Sequence, residues 1–147
     1  MLFVLRQEGS FGRAFTFMRS RFDGSASIQP FLQVLREARE ANADDVAEEI
    51  GNFLLTQKTA LSQQRGTNSV LLELGKCHEK TNNRAAIFKL SDEYPIGACS
   101  ACFEWERFRA TFLFENSTAI GDSLQQLFSY ESTLEQLRER YPRKFQR

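Results

Sequence analysis

Cysteine, histidine, proline and tryptophan are all scarce in this 147-residue sequence, which holds three, one, three and one of them respectively. An odd, low cysteine count does not build the paired framework of a small secreted disulfide scaffold. A reducing, intracellular setting such as the cytoplasm is therefore expected. An exported or host-delivered chain that had lost its leader would read the same. The lone histidine leaves no second imidazole for a metal-binding helix. With so little proline, and eight glycines, no linker or low-complexity tract breaks the chain. Net charge is missing too, because 19 basic and 19 acidic residues cancel. A domain that works by neutralising phosphates carries a positive excess, which argues against duplex nucleic acid as the main partner.

Long apolar runs are also lacking. Met1-Leu2-Phe3-Val4-Leu5 stops at Arg6, short of the roughly 7–15 apolar residues of a signal peptide. The patch Phe112-Leu113-Phe114 is far below the roughly 20 residues that span a bilayer. No membrane span is expected. Glycine-rich phosphate loops and a G-x-S-x-G elbow are absent as well.

What is abundant is phenylalanine, 14 residues, within a chain that is 41% hydrophobic. That much apolar surface offsets the entropy of ordering, and the length suits one soluble domain over 1–147 with a short basic tail, 143–147. Helical periodicity dominates. Phe11, Ala14, Phe15, Met18 and Phe22 share one helix face, with Ser10 placed to cap its start and Asp23-Gly24-Ser25 to turn the chain. Pro30 suits the first turn of a second helix carrying Phe31, Leu35 and Ala38. Asn42 with Asp45 reads as the start of a third, which stays amphipathic through Val46, Ile50, Phe53, Leu54 and Leu61 until Arg65-Gly66 ends it. Val70, Leu71, Leu74, Cys77 and His78 line a fourth, broken at Asn82-Asn83. Another helix starts at Pro95 and is apolar almost all round to Phe114, the mark of a buried central helix. The last holds Ile120, Leu124, Leu127, Phe128, Leu134, Leu137 and Tyr141 on one face and stops at Pro142. The fold class is thus all-α, a single bundle of six or seven helices. The alternative is α+β, with short strands near 84–90 and 107–115.

All three cysteines and the histidine fall in one window, Cys77-His78 and Cys99-Ser100-Ala101-Cys102. The plain expectation is that the thiols pack as small apolar groups and no cofactor binds. The alternative is a zinc site on Cys99 and Cys102 with Cys77 or His78, since thiolates and imidazole are the ligands tetrahedral zinc prefers. A Cys99–Cys102 redox pair is a further option. Both of these cysteines are expected in the first turns of the helix after Pro95, where residues three apart share a face.

Cys77-His78-Glu79 followed by Cys99-x-x-Cys102 resembles the Cys/His-x-Glu … Pro-Cys-x-x-Cys signature of the zinc-dependent cytidine deaminases. That resemblance implies Cys77, Cys99 and Cys102 as zinc ligands and Glu79 as the proton shuttle. It covers only these residues, and Ala98 stands where the family has proline. A lone His78 in an all-α chain also fits the broad layout of a globin, and haem on His78 ranks behind zinc.

The function expected is non-enzymatic: a regulatory or adaptor domain that binds another protein, or a second copy, through a helical apolar face. Phe11, Phe15, Met18 and Phe22 are the expected surface, because so many large apolar residues are hard for a small bundle to hide. A zinc-binding domain, structural or deaminase-like, is the alternative.

Overall fold

The computed structural model describes residues 2–94 and 103–116, with 131–132, 134–136 and 138–139. Among the described residues every regular element is an α-helix. In chain order these are α1 (Leu2–Gln7), α2 (Phe11–Arg21), α3 (Gln29–Glu40), α4 (Asp44–Thr56), α5 (Lys58–Gln64), α6 (Thr67–Lys80), α7 (Arg84–Glu93) and α8 (Phe103–Glu115). The described positions between 131 and 139 are helical too, within the span of the last predicted helix. The fold is all-α, and the two stretches that also read as strands, near 84–90 and 107–115, lie in α7 and α8.

The eight helices named, with the helical positions between 131 and 139, exceed the six or seven expected, for two local reasons. The apolar start that is too short for a leader is long enough for α1. The third predicted helix divides at Gln57, which closes α4 and opens α5 with φ −89° and ψ 59°. Thr56 stands just before the break. Its hydroxyl donates back to the Phe53 carbonyl at 2.6 Å, a local bond that competes with continuing the helix.

Three helices end on a left-handed residue that is not glycine: Asn42 after α3, Arg65 after α5 and Asn82 after α6, with φ of 64°, 52° and 56°. In each case the next N–H reaches back five residues to an orphan carbonyl. Ala43 donates to Ala38, Gly66 to Leu61 and Asn83 to His78, at 2.8, 2.9 and 2.8 Å. Asn42 therefore terminates α3 instead of opening α4. Ser10 occupies the N-cap position of α2 but its side chain makes no capping bond. Pro30 sits in the first turn of α3, as its missing N–H dictates.

The chain divides into two compact units, Met1–Ile87 and Phe88–Arg147. No proline- or glycine-rich linker marks the division, which is why the sequence reads as one domain. In the first unit α4 is central, packed on α3 and α6, while α2 lies on α3 and carries α1. Phe15 of α2, Phe22 at its C-cap, Phe31 of α3 and Phe53 of α4 form an aromatic cluster. Ring centres of Phe15–Phe53 and Phe22–Phe31 stand 5.5 and 5.3 Å apart, edge to face. Each such pair adds roughly 0.5–1.5 kcal/mol beyond burial. Ile28, Leu32, Leu35, Ile50, Leu54, Leu71 and Leu74 complete the core. Gln64 holds the chain entering α3, accepting from Ile28 N and donating to Ala26 O. In the second unit Phe88 packs on Phe112 at 4.9 Å, Trp105 is buried and stacks on Phe108, and Arg109 donates twice to the Ser91 carbonyl.

Candidate functional site

The predicted surface stripe is not a surface. Phe11, Phe15 and Met18 are buried inside the first unit, and half-buried Phe22 joins Phe31 and Phe53 in the aromatic cluster. The spacing is helical as expected, but α3 and α4 cover the stripe. Counting large apolar residues overestimates exposure here, because ring-on-ring packing absorbs four phenylalanines in one place.

Cys77 and His78 follow one another on α6 and engage different partners on α4. Cys77 is fully buried, with its Sγ 3.6 Å from the Asp44 carbonyl. Burial pushes the thiol up to about 11, and the charges of Glu48 and Asp44 add to it. The group is protonated at neutral pH, so it is not a resting nucleophile. His78 Nδ1 lies 3.3 Å from Glu48 Oε1 but is not aligned for a hydrogen bond. The rest of this seam is ionic. Buried Glu73 accepts from Arg36 Nε at 3.0 Å and from Arg39 Nη1, while Lys80 Nζ donates to the Arg39 carbonyl and to Asp44. Glu73, Cys77 and Lys80 recur at i, i+4 and i+7, so one polar edge of α6 fastens the α3–α4 corner.

Among the described residues no three His, Cys, Asp or Glu side chains are grouped to hold a metal ion. Cys99 and Cys102, the basis of the zinc and redox expectations, lie outside the described residues. So do the helix start at Pro95 and the tail 143–147. Glu79, the implied proton shuttle, is exposed on α6. No helix among the described residues is long and apolar enough to cross a membrane.

The outward side of α2 carries a second stripe. Arg13, Phe17 and Arg21 fall at i, i+4 and i+8, a row along the flank of the buried face. Phe17 is half-buried and borders a groove of about 320 Å³ lined by Leu5 of α1 and by Gly12, Arg13, Thr16 and Phe17 of α2. Val4 of α1 is 51% exposed. The Arg21 guanidinium lies 3.8 Å from the Phe17 ring centre and donates to Ser20 Oγ at 3.3 Å. Arg19 turns the other way, 5.1 Å from the Phe53 ring centre, and roofs the aromatic cluster. Arg13 is exposed and makes no ion pair among the described residues. Arg6 ties α1 to α3 by a forked contact with Glu37, its Nε 2.8 Å from Oε2. That fork holds the Glu37 carboxyl below its ordinary range.

Sequence reasoning passes over Phe17 because a five-residue inward stripe outweighs one outward ring. Its signal is the competing alternation of Phe15 and Phe17, which suggests a hairpin when read as period two. On a helix the same alternation means two rings on opposite sides. A polar cleft of about 460 Å³ lies between the α2–α3 turn and the start of α5. Its acid, Asp23, is already engaged by the Ser25 N–H and hydroxyl at 2.9 and 2.7 Å. Comparison of the chain with protein-family models, with curated proteins and with solved structures finds no match to any of them.

Proposed function

We propose that this chain is a non-enzymatic adaptor or regulatory domain that binds another protein through the outward face of α1 and α2. One observation carries the proposal: half-buried Phe17 borders an apolar groove that lies outside the aromatic core. Apolar surface rimmed by polar groups is the usual mark of a protein-binding site. An aromatic ring held at the edge of a groove is the residue type that dominates such contacts. The inward stripe does not serve this purpose, since it is consumed by the fold.

The test is selection of random displayed peptides on the full chain, with Phe17→Asp as the counter-selection target. Sedimentation of both proteins runs in parallel. Peptides, or a second copy, that bind wild type and release the variant support the proposal. Binding indifferent to Phe17, or no peptide or second copy bound by wild type, overturns it; circular dichroism checks that the variant keeps its helical signal.

A further inference from the structure

We infer that the partner segment docking on this face is acidic, an apolar side chain flanked by carboxylates that pair with Arg13 and Arg21. The inference rests on the binding face proposed above and adds the chemistry of what it takes. α2 contains three arginines, Arg13, Arg19 and Arg21, and no acidic residue. Arg19 is directed onto the Phe53 ring and Arg6 is matched by Glu37, so neither serves the groove. Arg13 and Arg21 remain, one helical turn before and one after Phe17. At 1.5 Å per residue their Cα atoms are about 12 Å apart along the axis.

A guanidinium presents a planar fork that matches a carboxylate with two parallel hydrogen bonds. Arg13 has no ion pair among the described residues. Arg21 is pre-placed by its stack on Phe17 and its bonds to the Phe17 carbonyl and Ser20. The rim is therefore cationic at both ends and apolar between. A helix with carboxylates eight residues apart, or an extended strand with them four apart (about 13 Å), spans that distance with an apolar residue midway. The groove, about 320 Å³, has the size of a small ligand pocket, so it takes an anchor of one or two apolar side chains. Two isolated forks on a chain of zero net charge suit a peptide better than a phosphate backbone or an anionic bilayer, which reward a broad positive field.

Peptides recovered on the full chain are resynthesised with a fluorophore and titrated by anisotropy against wild type, Phe17→Ala, Arg13→Glu and the double variant Arg13→Glu/Arg21→Glu. Vesicles containing phosphatidylserine and a single-stranded oligonucleotide are titrated alongside. The expected result is carboxylates flanking the apolar anchor and at least tenfold weaker binding by Arg13→Glu. Affinity should fall as salt rises. Peptides with those carboxylates changed to lysine should prefer the double variant over wild type. Arg13 is exposed, so its reversal leaves the fold intact, which circular dichroism checks. Peptides that need Phe17 but lack carboxylates, or ignore Arg13→Glu, overturn the acidic partner and leave the binding face standing. Peptides that ignore Phe17 as well overturn both. Tighter, Arg13-dependent binding of vesicles or oligonucleotide overturns the acidic peptide and assigns the face to that surface.

Discussion

Gly51 of α4 and Leu74 of α6 meet where one of them has no side chain. A Cβ on Gly51 would overlap Leu74 Cδ2 and stand 2.5 Å from its Cγ. Leu74 is fully buried among the core side chains and cannot swing out to solvent. Helix propensity alone favours Gly51→Ala by about 1 kcal/mol. Overpacking a well-filled core costs about 1–3 kcal/mol, so the net effect should be destabilising. A lower urea midpoint at unchanged slope would show it, and a raised midpoint would contradict the packing.

Phe15 and Phe17 are two residues apart and should behave oppositely. Phe15 is 2% exposed and its ring packs on those of Phe31 and Phe53. Phe15→Ala should cost about 3–5 kcal/mol, the usual range for a buried ring. Phe17 lies outside that cluster, and Phe17→Ala should stay within about 1 kcal/mol of wild type while losing any partner. Paired urea unfolding curves decide between this inward–outward division and the reverse.

Cys77 should make stability fall in alkali. Folded, the thiol holds its proton to about 11, against 9.0 for an ordinary thiol. Between those values the native state binds the proton that the unfolded chain has released, so raising the pH favours unfolding. The loss across that window is on the order of 2–3 kcal/mol. Cys77→Ala should give a flatter profile from pH 8.5 to 10.5, at roughly 1–2 kcal/mol lower stability near neutrality. With Cys99 and Cys102 changed to serine, the remaining thiol should react with a disulfide reagent only as fast as the protein opens.

Glu37 should do the converse in acid. Its carboxyl is held below the ordinary 4.5 by the Arg6 hydrogen bonds. The contribution is fully present above that ordinary value and is lost as pH falls through the lowered one. Unfolding from pH 6 to pH 3 should therefore be steeper for wild type than for Glu37→Gln. Equal slopes would show that the fork between α1 and α3 does not persist in solution.

Most of the fold is legible because core helices must repeat apolar residues every three or four positions, and α2, α3, α4 and α6 do. Asn82 could be recognised as a break for the same local reason that it adopts a left-handed conformation. Asn42 was harder. Its side chain suits a cap, so it reads as the start of α4 although its backbone closes α3. Arg65-Gly66 reads as a glycine stop, yet Arg65 takes the left-handed turn and Gly66 is small because Ile28 crosses it. That crossing is a tertiary fact with no local signal. The break at Gln57 is similarly hidden, since Leu54 and Leu61 keep helical register across it. The candidate face is legible only once α3 and α4 are known to cover Phe15, which leaves Phe17 as the outward ring. The Cys77–His78 pair was visible as chemistry, but its environment was not. Asp44 and Glu48 are brought to it from 30 or more positions earlier in the chain.

The order in which the first unit packs also bears on how quickly it forms. Its helix pairs are mostly successive in the chain, α1 on α2, α2 on α3 and α3 on α4, and the α4–α6 pair encloses only α5. Each pairing closes a short loop, so little chain entropy is lost before contacts begin to compensate. Topologies built this way fold in microseconds to milliseconds. A newly made copy would thus close over Phe15 almost as soon as α4 is complete, while Phe17 stays outside that cluster at the border of the groove.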